Sequence, residues 1–127
     1  MSIKLYLAVG TGGMFGALAR YGISILGKTI HTFPYATLSV NLIGCFVLSF
    51  LLNYPLLKKK LSPEIIAALN VGVIGSFTTF STFAAETAQL VSSHLFLGII
   101  YLLFSIFGGI LFCYFGYKTA TGKWVGR

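Results

Sequence analysis

Four long apolar runs, joined by connections of a few residues each, leave this 127-residue chain no room for a soluble domain. The runs cover residues 3–26, 33–57, 65–91 and 95–117, and each meets the ~20 residues that a helix needs to cross a bilayer core. The connections at 27–32, 58–63 and 92–94 are too short to hold a linker or a second core. In lipid every backbone polar group must be satisfied internally, so runs of this length span as helices. The expected fold class is an all-α membrane protein, a single four-helix transmembrane domain over residues 1–127.

The net charge is +7, and its distribution separates topology from nucleic-acid binding. With four crossings, Lys4, Lys58, Lys59, Lys60, Lys118, Lys123 and Arg127 fall on one side, and Lys28 alone falls in the loops on the other. This asymmetry predicts cytoplasmic termini and a cytoplasmic central loop. It also explains the basic excess through attraction to anionic lipid heads, with no nucleic acid involved. Ala17-Leu18-Ala19 resembles a signal-peptide cleavage site, but Gly10, Gly12, Gly13 and Gly16 suit close helix packing better than a signal core. Cys45 and Cys113 lie inside apolar runs, as small hydrophobes do. With His31 and His94 near run ends and only two acids, no catalytic set or metal cluster can be assembled, and an enzyme is not expected.

The third run is too polar for its depth. Residues 75–83 read Gly-Ser-Phe-Thr-Thr-Phe-Ser-Thr-Phe, with five hydroxyls and three phenylalanines. Gly72, Gly75 and Ser76 weaken a helix, and neighbouring hydroxyls can rebond freed backbone groups, so a break at the centre is expected. Such a break releases carbonyls, notably near Gly75 and Thr78, and carbonyls of broken helices coordinate cations. Phe77, Phe80 and Phe83 share one broad helical face. Packing is the ordinary role of such a stripe. Here the rings alternate with hydroxyls, and a ring edge is positive enough to meet a small anion without a deep well.

Few other polar groups lie at membrane depth. Arg20 is either an interfacial anchor snorkelling to head groups or a cation at the mouth of an anion path. Asn41 is either an interhelical hydrogen-bonding group or an uncharged donor to a permeating anion. Asn70 admits the same two readings. Glu86 is the one acid near membrane depth, whereas Glu64 follows Ser62-Pro63, a plausible helix start. Tyr101 and Ser105 are four residues apart and share a face. Gly12 and Gly16 form a small-residue surface that lets another backbone approach.

Together these motifs resemble the Fluc (CrcB) family of small fluoride channels. The resemblance rests on Gly12-Gly13-Met14-Phe15-Gly16-Ala17-Leu18-Ala19-Arg20-Tyr21, on Thr37-Leu38-Ser39-Val40-Asn41-Leu42-Ile43-Gly44, and on residues 75–83. It implies a fluoride-selective channel in a bacterial plasma membrane, giving passive export of fluoride and fluoride resistance. It implies an antiparallel, dual-topology-type dimer with two pores and a third helix broken at its centre. By that resemblance the carbonyls of Gly75 and Thr78 hold a structural sodium ion. Phe80 and Phe83 are the pore phenylalanines, Asn41 the pore amide and Arg20 the arginine of the first motif. Ser81 and Thr82 are hydroxyls near the fluoride path, Tyr101 and Ser105 its track on the fourth helix, and Glu86 stands at the pore end. One sequence that inserts both ways should carry a weak charge bias, and this one does not. The dimer partner is therefore this same chain or an oppositely oriented paralogue. The rival reading, a proton-coupled small-molecule exporter built as a four-helix dimer, needs a central acid early in the chain, where this sequence has Arg20.

Overall fold

The computed structural model describes residues 2–27 and 32–122. Lys28, His31, Lys123 and Arg127, which enter the charge argument or the loop assignment above, lie outside the described residues. Among the described residues the structure is helical, with no strand.

α1 runs over Ile3–Leu26 and α2 over Tyr35–Asn53. α2 stops short of the 33–57 run because Pro55 forces the residue before it out of helical conformation. Tyr54 accordingly has ψ 110°, and a short separate helix α3 spans Pro55–Lys60. The third run starts as the sequence suggests. Ser62 is the N-cap, its hydroxyl accepting from Ile65 N–H, with Pro63 in the first turn of α4, Pro63–Ala67. A π-helical segment, Ala68–Ile74, follows, then α5, Gly75–Phe77. Helical backbone stops at Thr78, whose ψ is 161°, and resumes in α6, Ser81–Ser93. α7 occupies Leu95–Gly122, separated from α6 by His94 alone.

Among the described residues three segments are long and apolar enough to cross a membrane: Tyr35–Asn53, Pro63–Ser93 and Leu95–Gly122, with mean hydropathies of 1.9, 1.5 and 2.5. α1 has the length, at 24 residues, but its four glycines to residue 16, Thr11, Lys4 and Arg20 dilute its apolar character. The described core is small: Val40, Ile74, Leu90, Tyr101 and Ala120 are the buried hydrophobics. Large apolar side chains such as Phe15, Phe96 and Phe107 point outward, as in a protein whose solvent is lipid.

Backbone contact holds these helices together. α1 packs mainly on the π-helical segment and α5, α2 on α7, and α6 on α7. The small face of α1 meets its partner here: a β-carbon at Gly12 would overlap the Ala68 carbonyl, and one at Gly16 the Val73 carbonyl. From the other side, a β-carbon at Gly72 would sit 2.6 Å from Val9 O. Lipid tails are as apolar as leucine, so close van der Waals approach of this kind replaces the hydrophobic effect as the driving force. Between α2 and α7, Gly116 lies against the Phe46 carbonyl, and Ser49 Oγ donates to Cys113 O at 2.7 Å. Cys113 Sγ lies 3.5 Å from Cys45 O, and both cysteines are free thiols.

Candidate functional site

The gap at residues 78–80 is closed by a side chain from another helix. Asn41 Nδ2 donates to Thr79 O at 2.9 Å, and Thr79 N–H donates to Asn41 Oδ1 at 2.8 Å. One amide thus satisfies both backbone groups of the residue in the gap, and one Nδ2 hydrogen remains for another acceptor. Thr79 Oγ1 accepts from Thr82 N–H at 3.3 Å and bonds Thr82 Oγ1 at 3.0 Å, restarting the helix as a cap does. Thr78 turns back, its N–H and Oγ1 both donating to Ile74 O at 3.0 Å. Its γ-methyl occupies the space a β-carbon at Gly44 would need, so the glycine lets α2 reach the gap.

These bonds redirect two donors. In an unbroken helix Thr79 N–H would bond Gly75 O, and Thr82 N–H would bond Thr78 O. The first goes to Asn41 and the second to Thr79 Oγ1. The carbonyls of Gly75 and Thr78 are thereby released.

A cleft of about 380 Å³ runs along this region. Asn41, Asn70, Gly75, Thr78, Phe80, Phe83 and Ser105 are among the residues that line it. Phe80 is 79% exposed. Its ring lies 6.0 Å from that of Phe83, which lies 5.3 Å from Tyr101, which meets Phe33 edge-on at 5.5 Å. Phe77 does not join this series. The three-residue spacing would put it on the same face of a continuous helix, but the extended backbone at Thr78 separates it from Phe80.

Tyr101 has no exposed surface, and its hydroxyl donates to Glu86 Oε2 at 2.8 Å. Thr37 Oγ1 donates to the other oxygen, Oε1, at 2.9 Å. The carboxylate is thus held by α2 and α7 at once. Glu86 lines a cavity of about 630 Å³ with Ser24, Thr37, Thr82 and Gln89. Arg20 lines a neighbouring cavity of about 250 Å³, which shares Ser24, Ala36, Thr37 and Thr82 with it and also reaches Thr79. Asn41, Phe80, Phe83, Ser105, Gly75 and Thr78 therefore share one recess, while Arg20 and Glu86 line two adjoining ones that have Thr82 in common. Tyr101 joins the first recess to the Glu86 cavity through its ring and hydroxyl. Ser81 is exposed and lines none of these three recesses.

Thr37 and Thr79 carry contacts that the sequence reading did not assign them. Thr37 stands one turn before Asn41 and shares its face, the signal that could have marked it. Thr79 touches both recesses because it sits in the gap between the two helices.

The family model described as CrcB-like protein, Camphor Resistance (CrcB), matches residues 7–117. The chain belongs to the CrcB-like family. This CrcB-like chain is 46% identical over 116 residues to the fluoride-specific ion channel FluC 1 of Bacillus cereus, covering 89% of the chain and 85% of the relative. It is 44% identical over 108 residues to FluC 1 of Desulfitobacterium hafniense, covering 84% and 95%. It is 43% identical over 124 residues to FluC 2 of Listeria monocytogenes, covering 96% and 94%. The matched span of this CrcB-like protein contains the gap, the two phenylalanines, Asn41 and Glu86.

Proposed function

We propose that this chain is a fluoride-selective channel of a bacterial membrane, giving passive exit of cytoplasmic fluoride. The observation that carries the reading is the cleft in which Phe80 and Phe83 stand beside an amide-bridged gap in a membrane-length helix. Fluoride holds its water tightly, so a selective path must replace that water with many weak donors. Ring edges, the remaining amide hydrogen of Asn41 and the hydroxyls of Ser105 and Thr82 are donors of that kind. The relatives named fluoride-specific ion channels support the same reading. A channel conducts down a gradient and performs no bond chemistry, and a titratable acid at the centre of an early helix, which a proton-coupled exporter needs, is replaced here by Arg20.

The finer architecture belongs to the same proposal. The chain crosses four times, α1 included, with the third crossing broken at residues 78–80. It pairs antiparallel with a second copy or with an oppositely oriented paralogue, the two clefts becoming two paths. The released carbonyls of Gly75 and Thr78 fit a hard cation such as sodium, which takes oxygen ligands. Two carbonyls from one chain are too few to enclose it, and a second chain related by two-fold symmetry doubles them. A sodium ion there would offset the crowded carbonyl dipoles and add positive potential for an anion.

The test is efflux from liposomes holding the purified protein. Rapid voltage-driven fluoride efflux with chloride excluded is expected. Efflux that requires a proton gradient would overturn the channel in favour of a carrier.

A further inference from the structure

Most hydroxyls on these helices bond a carbonyl three or four residues back: Thr11, Ser24, Ser39, Thr87, Ser92, Thr119 and Thr121 all do. Ser105 does not. Its Oγ is buried and has no partner among the described residues, and the same holds for Asn70 Oδ1. These two groups come from different elements, the π-helical segment and α7, yet both line the cleft that contains Phe80 and Phe83. A hydroxyl and an amide oxygen buried unpaired at membrane depth are costly, so such atoms are kept where something else, such as water, satisfies them.

The backbone explains how Asn70 reaches this place. The wider turn of the π-helix forms where α1 presses its glycines against the Ala68 and Val73 carbonyls. Single π-turns recur at functional sites because they re-aim the side chains they carry. Asn70 precedes the gap, on the side where the span begins at Pro63 just after Lys58, Lys59 and Lys60. Glu86 lies beyond the gap on the other side.

We propose that Asn70 is a second amide of the ion path, whose Oδ1 accepts from the water that travels with the fluoride while Ser105 Oγ donates to the ion or to that water, on the lysine-rich side of the gap. This rests on the fluoride-channel reading. Asn41 spends one amide hydrogen and one acceptor position on Thr79, whereas no described group meets Asn70 Oδ1, so that oxygen is open to water of the path. Without a charge the amide holds the hydrated ion weakly enough to release it.

The experiment is the initial rate of fluoride efflux from liposomes carrying the wild type, Asn70→Leu or Asn70→Asp, with thermal unfolding in detergent as a second readout. Asn70→Leu keeps the volume and removes the hydrogen bonds. It should slow efflux by up to about tenfold, the factor expected for losing one neutral hydrogen bond, and leave unfolding unchanged. Asn70→Asp should slow it further by repelling the anion. Unchanged efflux in Asn70→Leu, or Asp conducting as well as Asn, overturns the proposal, as does a loss of efflux matched by a loss of folded protein in both. Asn70→Ser against Asn70→Ala guards against misfolding, since both are small: Ser should conduct faster, and equal rates overturn the proposal. A wild type that carries no fluoride overturns the channel reading itself. A conducting wild type with an indifferent Asn70 overturns this inference alone.

Discussion

Asn41 and Thr79, 38 residues apart, exchange two hydrogen bonds that replace those a continuous helix would have made. Asn41→Leu should leave an N–H and a carbonyl unpaired at depth, each costing about 1–3 kcal/mol. Unfolding in detergent should show a loss of about 2–6 kcal/mol for the two groups together, along with abolished fluoride efflux. Asn41→Asp keeps the acceptor for Thr79 N–H and loses the donor to Thr79 O, so it should fall between the two. A leucine variant as stable as the wild type would show that the pair contributes nothing.

Phe80 and Phe83 differ in surroundings and should differ in what they cost. Phe80 is largely exposed in this chain, while Phe83 packs against Tyr101. Replacing either by Ile should cut fluoride efflux severely. Phe83→Ile should also destabilise the protein more, since it loses two ring pairs worth about 0.5–1.5 kcal/mol each where Phe80→Ile loses one at an exposed site. Near-normal efflux in both would return the rings to packing.

The glycines of α1 should separate cleanly. Gly12→Ala and Gly16→Ala force a methyl against a carbonyl and should cost about 1–3 kcal/mol, the usual penalty of overpacking. Gly10→Ala and Gly22→Ala meet nothing within 4 Å. They should be neutral or stabilising, since Ala exceeds Gly in helix propensity by about 1 kcal/mol. Detergent unfolding of the four variants reads the contrast.

Much of the helical framework was legible because it depends on local pattern. Apolar run length marks the segments, Ser62-Pro63 marks a helix start, and the Gly12–Gly16 spacing marks a face that admits a backbone. What that face meets was not legible, because the Ala68 and Val73 carbonyls lie 56 and 57 residues away in sequence from Gly12 and Gly16. Pro55 could have marked the end of α2, but the apolar residues after it masked the signal. The bonds of Asn41 to Thr79, and of Thr37 and Tyr101 to Glu86, depend on how helices are rotated against one another, and periodicity fixes a face without naming its neighbour. The interruption of the Phe77–Phe80–Phe83 series followed from the same blindness: spacing assumes one continuous helix.

Glu86 gives a test of shared restraint. Thr37→Val and Tyr101→Phe each remove one donor to the carboxylate, costing about 1.5–3 kcal/mol apiece if the group keeps its charge. Because both donors serve one acceptor, the double variant should depart from the sum of the singles, with a coupling of about 0.5–3 kcal/mol by double-mutant cycle. Strict additivity would mean that the carboxylate finds equivalent partners elsewhere.

Sodium removal probes the released carbonyls. Dialysis against a large organic cation should loosen the assembly and slow fluoride efflux, and restoring sodium should reverse both. Efflux indifferent to sodium would leave the Gly75 and Thr78 carbonyls without that ligand.

The groups from other helices that accommodate the gap at residues 78–80 reside on helices made earlier. Gly12 and Gly16 belong to α1, and Gly44 and Asn41 to α2. When Thr79 emerges from the ribosome, the amide that will pair with it has already been synthesised. The irregular stretch need not wait, exposed to hydrocarbon, for a later part of the chain. Order of synthesis and order of satisfaction coincide, so moving the second helix behind the third by circular permutation would penalise insertion even where every final contact is preserved.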